Sequence, residues 1–224
     1  MPGKKHIICL CLWVLLCSSV AMSQVPVKNE PRHHPVLQNK YIRLLDVWLP
    51  PGDTTLYHIH ETPSVFVILS HTLTGAQIIG ERWIEAPPAL GNVWYRSFSP
   101  DILLHRVCNM DSVVFHVNDI EILSFFDSAG SLRSQPLPYP VVFNNERAIA
   151  YQVKSALPDT TVISKRGPVI IEPVSGEGIV FHNNTLKQTV QLTPGKYLYV
   201  EPGTSFYFTR TGTGNLNLVI FEIK

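Results

Sequence analysis

Short extended runs, broken every few residues by Pro, Gly, Asn or Asp, fill this chain from about residue 37 to its end. Tyr41–Leu49, Leu56–His60, Val65–Leu69, Ala76–Ile84, Asn92–Phe98, Leu103–Val107 and Val113–Leu123 read as strands, with turns such as Pro50-Pro51-Gly52-Asp53 between them. No long stretch of 3.6-residue or heptad periodicity interrupts them. Runs of this kind bury their apolar sides only by pairing, so the expected fold is all-β, a sandwich or barrel. With 224 residues, the chain holds one large domain or two of about 100 residues each.

The N-terminus has a different character. Lys4 and Lys5, the apolar run Ile7–Leu16, and Ala21-Met22-Ser23 ahead of Gln24 read as an export signal over residues 1–23. The apolar run is too short to span a bilayer. No stable membrane insertion is expected after cleavage, and the mature chain is expected in the periplasm or outside the cell. Cys9, Cys11 and Cys17 leave with the signal, so Cys108 alone remains and no intrachain disulfide is available. Apolar burial must then hold the fold, with Cys108 as a small buried residue. The formal net charge is +1 without a basic cluster, which argues against nucleic acid as a partner.

The second half of the chain echoes the first. Asp53-Thr54-Thr55 recurs as Asp159-Thr160-Thr161, and Gly91-Asn92-Val93-Trp94-Tyr95 is echoed by Gly195-Lys196-Tyr197-Leu198-Tyr199, at offsets of 106 and 104 residues. Two echoes at nearly one offset indicate a duplicated domain. The expected organisation is a first domain over 24–125, a Ser/Gly/Pro-rich linker over 126–140, and a second domain over 141–224. Extending the echoes sets Ser164 against His58, Arg166 against His60, and the Phe206 region near His105, so the duplicate lacks the histidines.

Those histidines carry the chemical signal. On a strand, residues two apart share a face, so His58 and His60 project together while Tyr57 and Ile59 face the other way. Two neighbouring imidazoles can take adjacent positions on one metal ion. His105, in Leu103-Leu104-His105-Arg106-Val107-Cys108-Asn109, is the candidate third ligand. Asn109 is a turn residue or an outer group that orients the site. Tyr57, Arg96 and His116 are weaker candidates for substrate contact. His33-His34, before Pro35, lies in an arm over Val25–Val36, either solvated or folded over the barrel mouth.

In these residues the chain resembles the cupin superfamily. The family's first motif begins with Gly, five residues and His-x-His, matched by Gly52, 53–57 and His58-Ile59-His60. Its second motif opens with Gly and closes with His-x-x-x-Asn, matched by Gly91 and by His105 to Asn109. The motifs lie within about residues 37–124. The resemblance implies two tandem jelly-roll barrels, the first carrying the metal motif and the second degenerate. It also implies one divalent metal ion (Fe, Mn, Zn or similar) on His58, His60 and His105. The Glu that usually follows the first motif is absent, with Ser64 and Val65 at its positions, which implies a site without a carboxylate. Some cupins, among them thiol dioxygenases, hold iron with three histidines. Between Gly91 and His105 the second motif departs from the family's spacing, with Pro100 displaced.

Two function classes follow. One is a metal-dependent enzyme, oxygenase-like or isomerase-like, acting on a small organic molecule. The other is a non-catalytic module that captures a small molecule or a metal. An enzyme should place a general acid or base, such as Tyr, Glu or Arg, near the open metal positions. A homodimer remains open as a further expectation. No Gly-rich phosphate loop, CxxC pair or supported Ser/His/Asp arrangement competes with these readings.

Overall fold

A computed structural model describes residues 24–87, 89–126, 136–154, 157 and 161–224. The expected export signal, most of the expected linker, and Asp159-Thr160 of the first echo lie outside the described residues. No helix among the described residues is long and apolar enough to cross a membrane.

In the first half the strands are β1 (Gln24–Pro26), β2 (His33–Gln38), β3 (Ile42–Leu49), β4 (Tyr57–His60), β5 (Ser64–Ile68), β6 (Thr74–Ile78), β7 (Ile84–Ala86), β8 (Val93–Arg96), β9 (Leu103–Asn109) and β10 (Phe115–Ile122). The second half adds β11 (Val141–Asn144), β12 (Ala148–Val153), β13 (Val169–Ser175), β14 (Ile179–Asn183), β15 (Gln188–Gln191), β16 (Leu198–Val200), β17 (Phe206–Arg210) and β18 (Asn217–Ile223). They form four sheets, in the orders β1-β4-β9-β6-β7, β2-β3-β10-β5-β8, β11-β12-β18-β13-β16 and β15-β14-β17. The third sheet repeats the strand order of the second. The fourth repeats the β7-β6-β9 part of the first.

Side-chain alternation stacks these sheets in layers. From β3, Ile42 and Leu44 pack toward the third sheet, meeting Ala148, Ile170 and Phe221. Leu45, Val47 and Leu49 of the same strand pack the other way, with Val27 and Val107. From β18, Val219 and Phe221 face the second sheet, while Leu218 and Ile220 face the fourth. The second and third sheets are thus buried on both faces, and every residue of β10 is buried.

The N-terminal segment is not a loose arm. Gln24–Pro26 runs parallel to β4, Val27–Asn29 forms a 3-10 turn, and β2 pairs antiparallel with β3. Cys108 is half-buried, less enclosed than its apolar neighbours suggest, and its Sγ lies against Gly75, where a Cβ would approach to 2.8 Å. Gly91 and Gly195, the anchors of the second echo, adopt nearly the same left-handed φ, 76° and 75°, ahead of β8 and β16. In the second half an isolated bridge, Ile163↔Phe206, is the counterpart of the His58↔His105 pair. This puts Ile163, not Ser164, at the place of His58. The space behind it is filled by Tyr151, Phe181, Phe206 and Phe208. Arg166 is buried there and donates to Glu222.

Candidate metal centre

The β4 strand turns His58 and His60 toward the second sheet, and β9 brings His105 directly opposite His58 in antiparallel register. The His58 and His105 rings are 4.6 Å apart, and those of His58 and His60 5.0 Å. Nε2 of His60 lies 3.1 Å from Nε2 of His105. Two ligands bound to one ion at about 2.0–2.1 Å, at angles near the octahedral or tetrahedral value, sit about 2.8–3.4 Å apart. The observed separation falls in that interval.

His33 joins this cluster from β2. Its ring is 4.7 Å from that of His58, and single ligand atoms of His33, His58 and His60 all lie within 4.8 Å of one another. The 3-10 turn and Glu30 place it there. Glu30 is buried and accepts from the Arg32 backbone N–H at 2.7 Å, from the Leu56 N–H at 3.1 Å and from the His33 ring at 2.7 Å. One carboxylate thereby ties the N-terminal segment to the start of β4. Burial opposes charge on Glu30, but these contacts prevail and hold its carboxyl below the usual range. A solvated arm is therefore not what forms. The readable signal was the spacing Glu30-x-x-His33 beside a histidine strand.

Tautomers follow from the outer contacts. His58 Nδ1 is 2.9 Å from the Leu56 carbonyl oxygen, which only accepts, so Nδ1 carries the proton and Nε2 bears a lone pair. That Nε2 is buried without a hydrogen-bond partner. His33 directs Nδ1 at Glu30 in the same manner, as metal-binding histidines do. Burial lowers the His58 pKa to about 4 and the His105 pKa to about 3, and pushes His60 well below its ordinary value. All three are neutral near pH 7, the state a metal requires. His60 stacks on Phe98 with ring centroids 4.9 Å apart, which fixes its plane.

The other expected site residues lie elsewhere. Tyr57 faces the outer side of β4, where its hydroxyl donates to Gln77 at 2.8 Å and Arg106 covers its ring. Arg96 is exposed and lies over Phe98. His116 sits on the opposite face of β10, stacked on Trp48 and 2.7 Å from Asp46. None of the three lines the cavity described below. Asn109 does not orient an imidazole: its Nδ2 donates to the Leu49 and Val113 carbonyls, and its Oδ1 accepts from the Asp111 N–H. It closes a turn. Glu61, the carboxylate next to His60 in the chain, is exposed, and Val65 points into the core between the sheets.

A carboxyl arrives instead from β10. Asp119 is 1% exposed, its Oδ2 is 3.5 Å from His60 Nδ1, and neither carboxyl oxygen has a hydrogen-bond partner. Burial, reinforced by Glu121, raises its pKa well above the usual carboxyl range. His33, His58, His60, His105 and Asp119 all line one cavity of about 260 Å³ between the first two sheets. The arrangement offers converging neutral nitrogens and one buried carboxyl on an otherwise largely apolar wall.

No family model matches the chain, and no curated protein does. Solved structures do share its fold. AerE from Microcystis aeruginosa aligns over 87% of this chain and 98% of its own, at 14% identity and TM-score 0.55. YlbA from Escherichia coli aligns over 82% and 77%, at 8% identity and TM-score 0.57. A salicylate 1,2-dioxygenase from Pseudaminobacter salicylatoxidans aligns over 82% and 71%, at 10% identity and TM-score 0.54. Likeness at these identities concerns the fold.

Proposed function

The chain has a cupin fold, and from that premise we propose that it binds one divalent metal ion through His58, His60 and His105, with His33 beside them, and uses the ion to bind or transform a small organic molecule. The convergence of the His60 and His105 Nε2 atoms at 3.1 Å, on a cavity wall, carries this reading. The lone pair on His58 Nε2, buried without a partner, fits the same ion. An iron or manganese ion would supply redox chemistry there, and zinc Lewis acidity. The chain's own residues hold the imidazoles neutral, orient His33 and His58 through Glu30 and the Leu56 carbonyl, and enclose the ligand. Asp119 is the group placed to hold a proton beside His60, which favours an enzyme over a passive binder. The salicylate 1,2-dioxygenase of similar fold has been solved as adducts with gentisate, which supports a small organic ligand.

Elemental analysis of the exported, full-length protein is expected to show close to one divalent metal per chain. A protein that holds none, even after reconstitution with iron, manganese and zinc, would remove the proposal.

The same reading takes residues 24–125 and 141–224 as tandem barrels after an export signal, with the second barrel structural. The repeated sheet order supports this, as does the apolar filling behind Ile163 and Phe206. A chain ending at Phe126 would expose Ile42, Leu44, Val65, Val67, Ile120 and Ile122, which are 0–2% exposed in the whole protein. Such a chain is expected in the insoluble fraction. Soluble expression with unchanged metal content would overturn the structural role of the second half.

A further inference from the structure

We infer that the cavity takes an uncharged, largely apolar molecule of about one substituted ring, and discriminates against carboxylates. The statement about charge rests on the cavity walls. Only the idea that such a molecule meets a metal rests on the function proposed above.

The walls come first. Across from the histidines, β3, β5 and β10 turn Val47, Leu49, Ile68, Phe115 and Val117 into the cavity, and β9 adds Val107. The threonines on the wall are partly committed. Thr55 Oγ1 accepts from the Val107 N–H, and Thr72 Oγ1 lies within hydrogen-bond distance of Ser70 Oγ and the Val114 carbonyl. Among the described residues no Lys or Arg lines the cavity. The cations around it are engaged outside: Arg96 over Phe98, Arg106 between the Tyr57 and Trp83 rings, and Arg43 on Glu121. Ala86, Pro87 and Ala89 also line the cavity, and exposed Ile84 and Leu90 lie close to them in the chain.

Charge balance points the same way. A carboxylate entering the cavity would find no guanidinium or ammonium to pair with, and burial of an unpaired ion is strongly unfavourable. Size follows from the volume: an apolar cavity of about 150 Å³ holds benzene, so a space of about 260 Å³ admits a ring with substituents.

Methyl benzoate and benzoate, matched in ring and differing in charge, form the test. Calorimetric titration of the metal-free full-length protein is expected to show methyl benzoate binding at least about ten-fold more tightly. The same preference is expected in the His58→Ala/His60→Ala variant. Equal or tighter binding of benzoate to the metal-free wild type overturns the inference, as does failure of both probes to bind at millimolar concentration. The two proposals fail separately. A protein that takes up no metal but still prefers the ester loses the metal and keeps the cavity, whereas a protein that takes up one metal per chain but prefers benzoate when metal-free does the reverse.

Discussion

Replacing both His58 and His60 with alanine is expected to reduce bound metal from about one per chain to below about a tenth, while the fold survives. Loss of the two β4 nitrogens leaves His105 and His33 on different strands, too few donors to hold an ion at neutral pH. Survival of the fold follows from what the two rings contribute to packing. His58 Nε2 and His60 Nδ1 are buried without hydrogen-bond partners, and removing an unsatisfied buried group offsets part of the loss in packing. The circular-dichroism melt is therefore expected to remain cooperative. A milder change grades the effect. Glu30→Gln keeps the size of the side chain but removes the charge that His33 Nδ1 faces, and outer partners of this kind alter metal affinity by about 10–100-fold. A double-alanine variant that still carries one metal per chain would mean that the ion sits elsewhere. A Glu30→Gln variant with unaltered affinity would leave His33 outside the metal's reach.

Period-two alternation made the centre of this site legible. It put His58 and His60 on one face, and the Gly52 and Asn109 signals marked the turn that sets β9 beside β4. The same rule already argued against Tyr57, which alternates with His58 and points outward. His33 and Asp119 escaped for different reasons. His33 reaches the site through a 3-10 turn clamped by Glu30, and neither period two nor period 3.6 describes a turn. Asp119 lies in Phe115–Ile122, where polar residues among apolar ones suggest one wet face; both faces are buried because sheets cover each side. That burial is a property of the layering, which no single strand reveals. The likeness of sheet order between the halves was foreshadowed by Gly91 and Gly195, whereas the echo of Asp53-Thr54-Thr55 set Ser164, one residue past Ile163, against His58.

The layering has a second measurable consequence, at Glu172. This residue is 0% exposed, and on β13 it shares the face of Ile170 and Val174 that packs against the second sheet. Asn118 Nδ2 donates to its Oε1 at 2.9 Å, while Oε2 has no hydrogen-bond partner. Burial raises its pKa from 4.5 to about 8, with Asp46 adding to the rise and the Asn118 contact opposing it. The folded chain then keeps a proton that the unfolded chain releases near pH 4.5. Where the native state binds more protons, stability falls as pH rises. The loss begins near pH 4.5 and is complete above about pH 8. A shift of that size corresponds to at most about 5 kcal/mol. Glu172→Gln keeps an oxygen for Asn118 and has no proton to lose. It is expected to melt close to the wild type at pH 5 and roughly 5–15 °C higher at pH 9. Other titrating groups are common to both proteins, so the difference between the two melts isolates this one. Equal differences at the two pH values would mean that Glu172 is ionised in the folded protein throughout the range, and that the interface between the second and third sheets admits the water needed to keep it so.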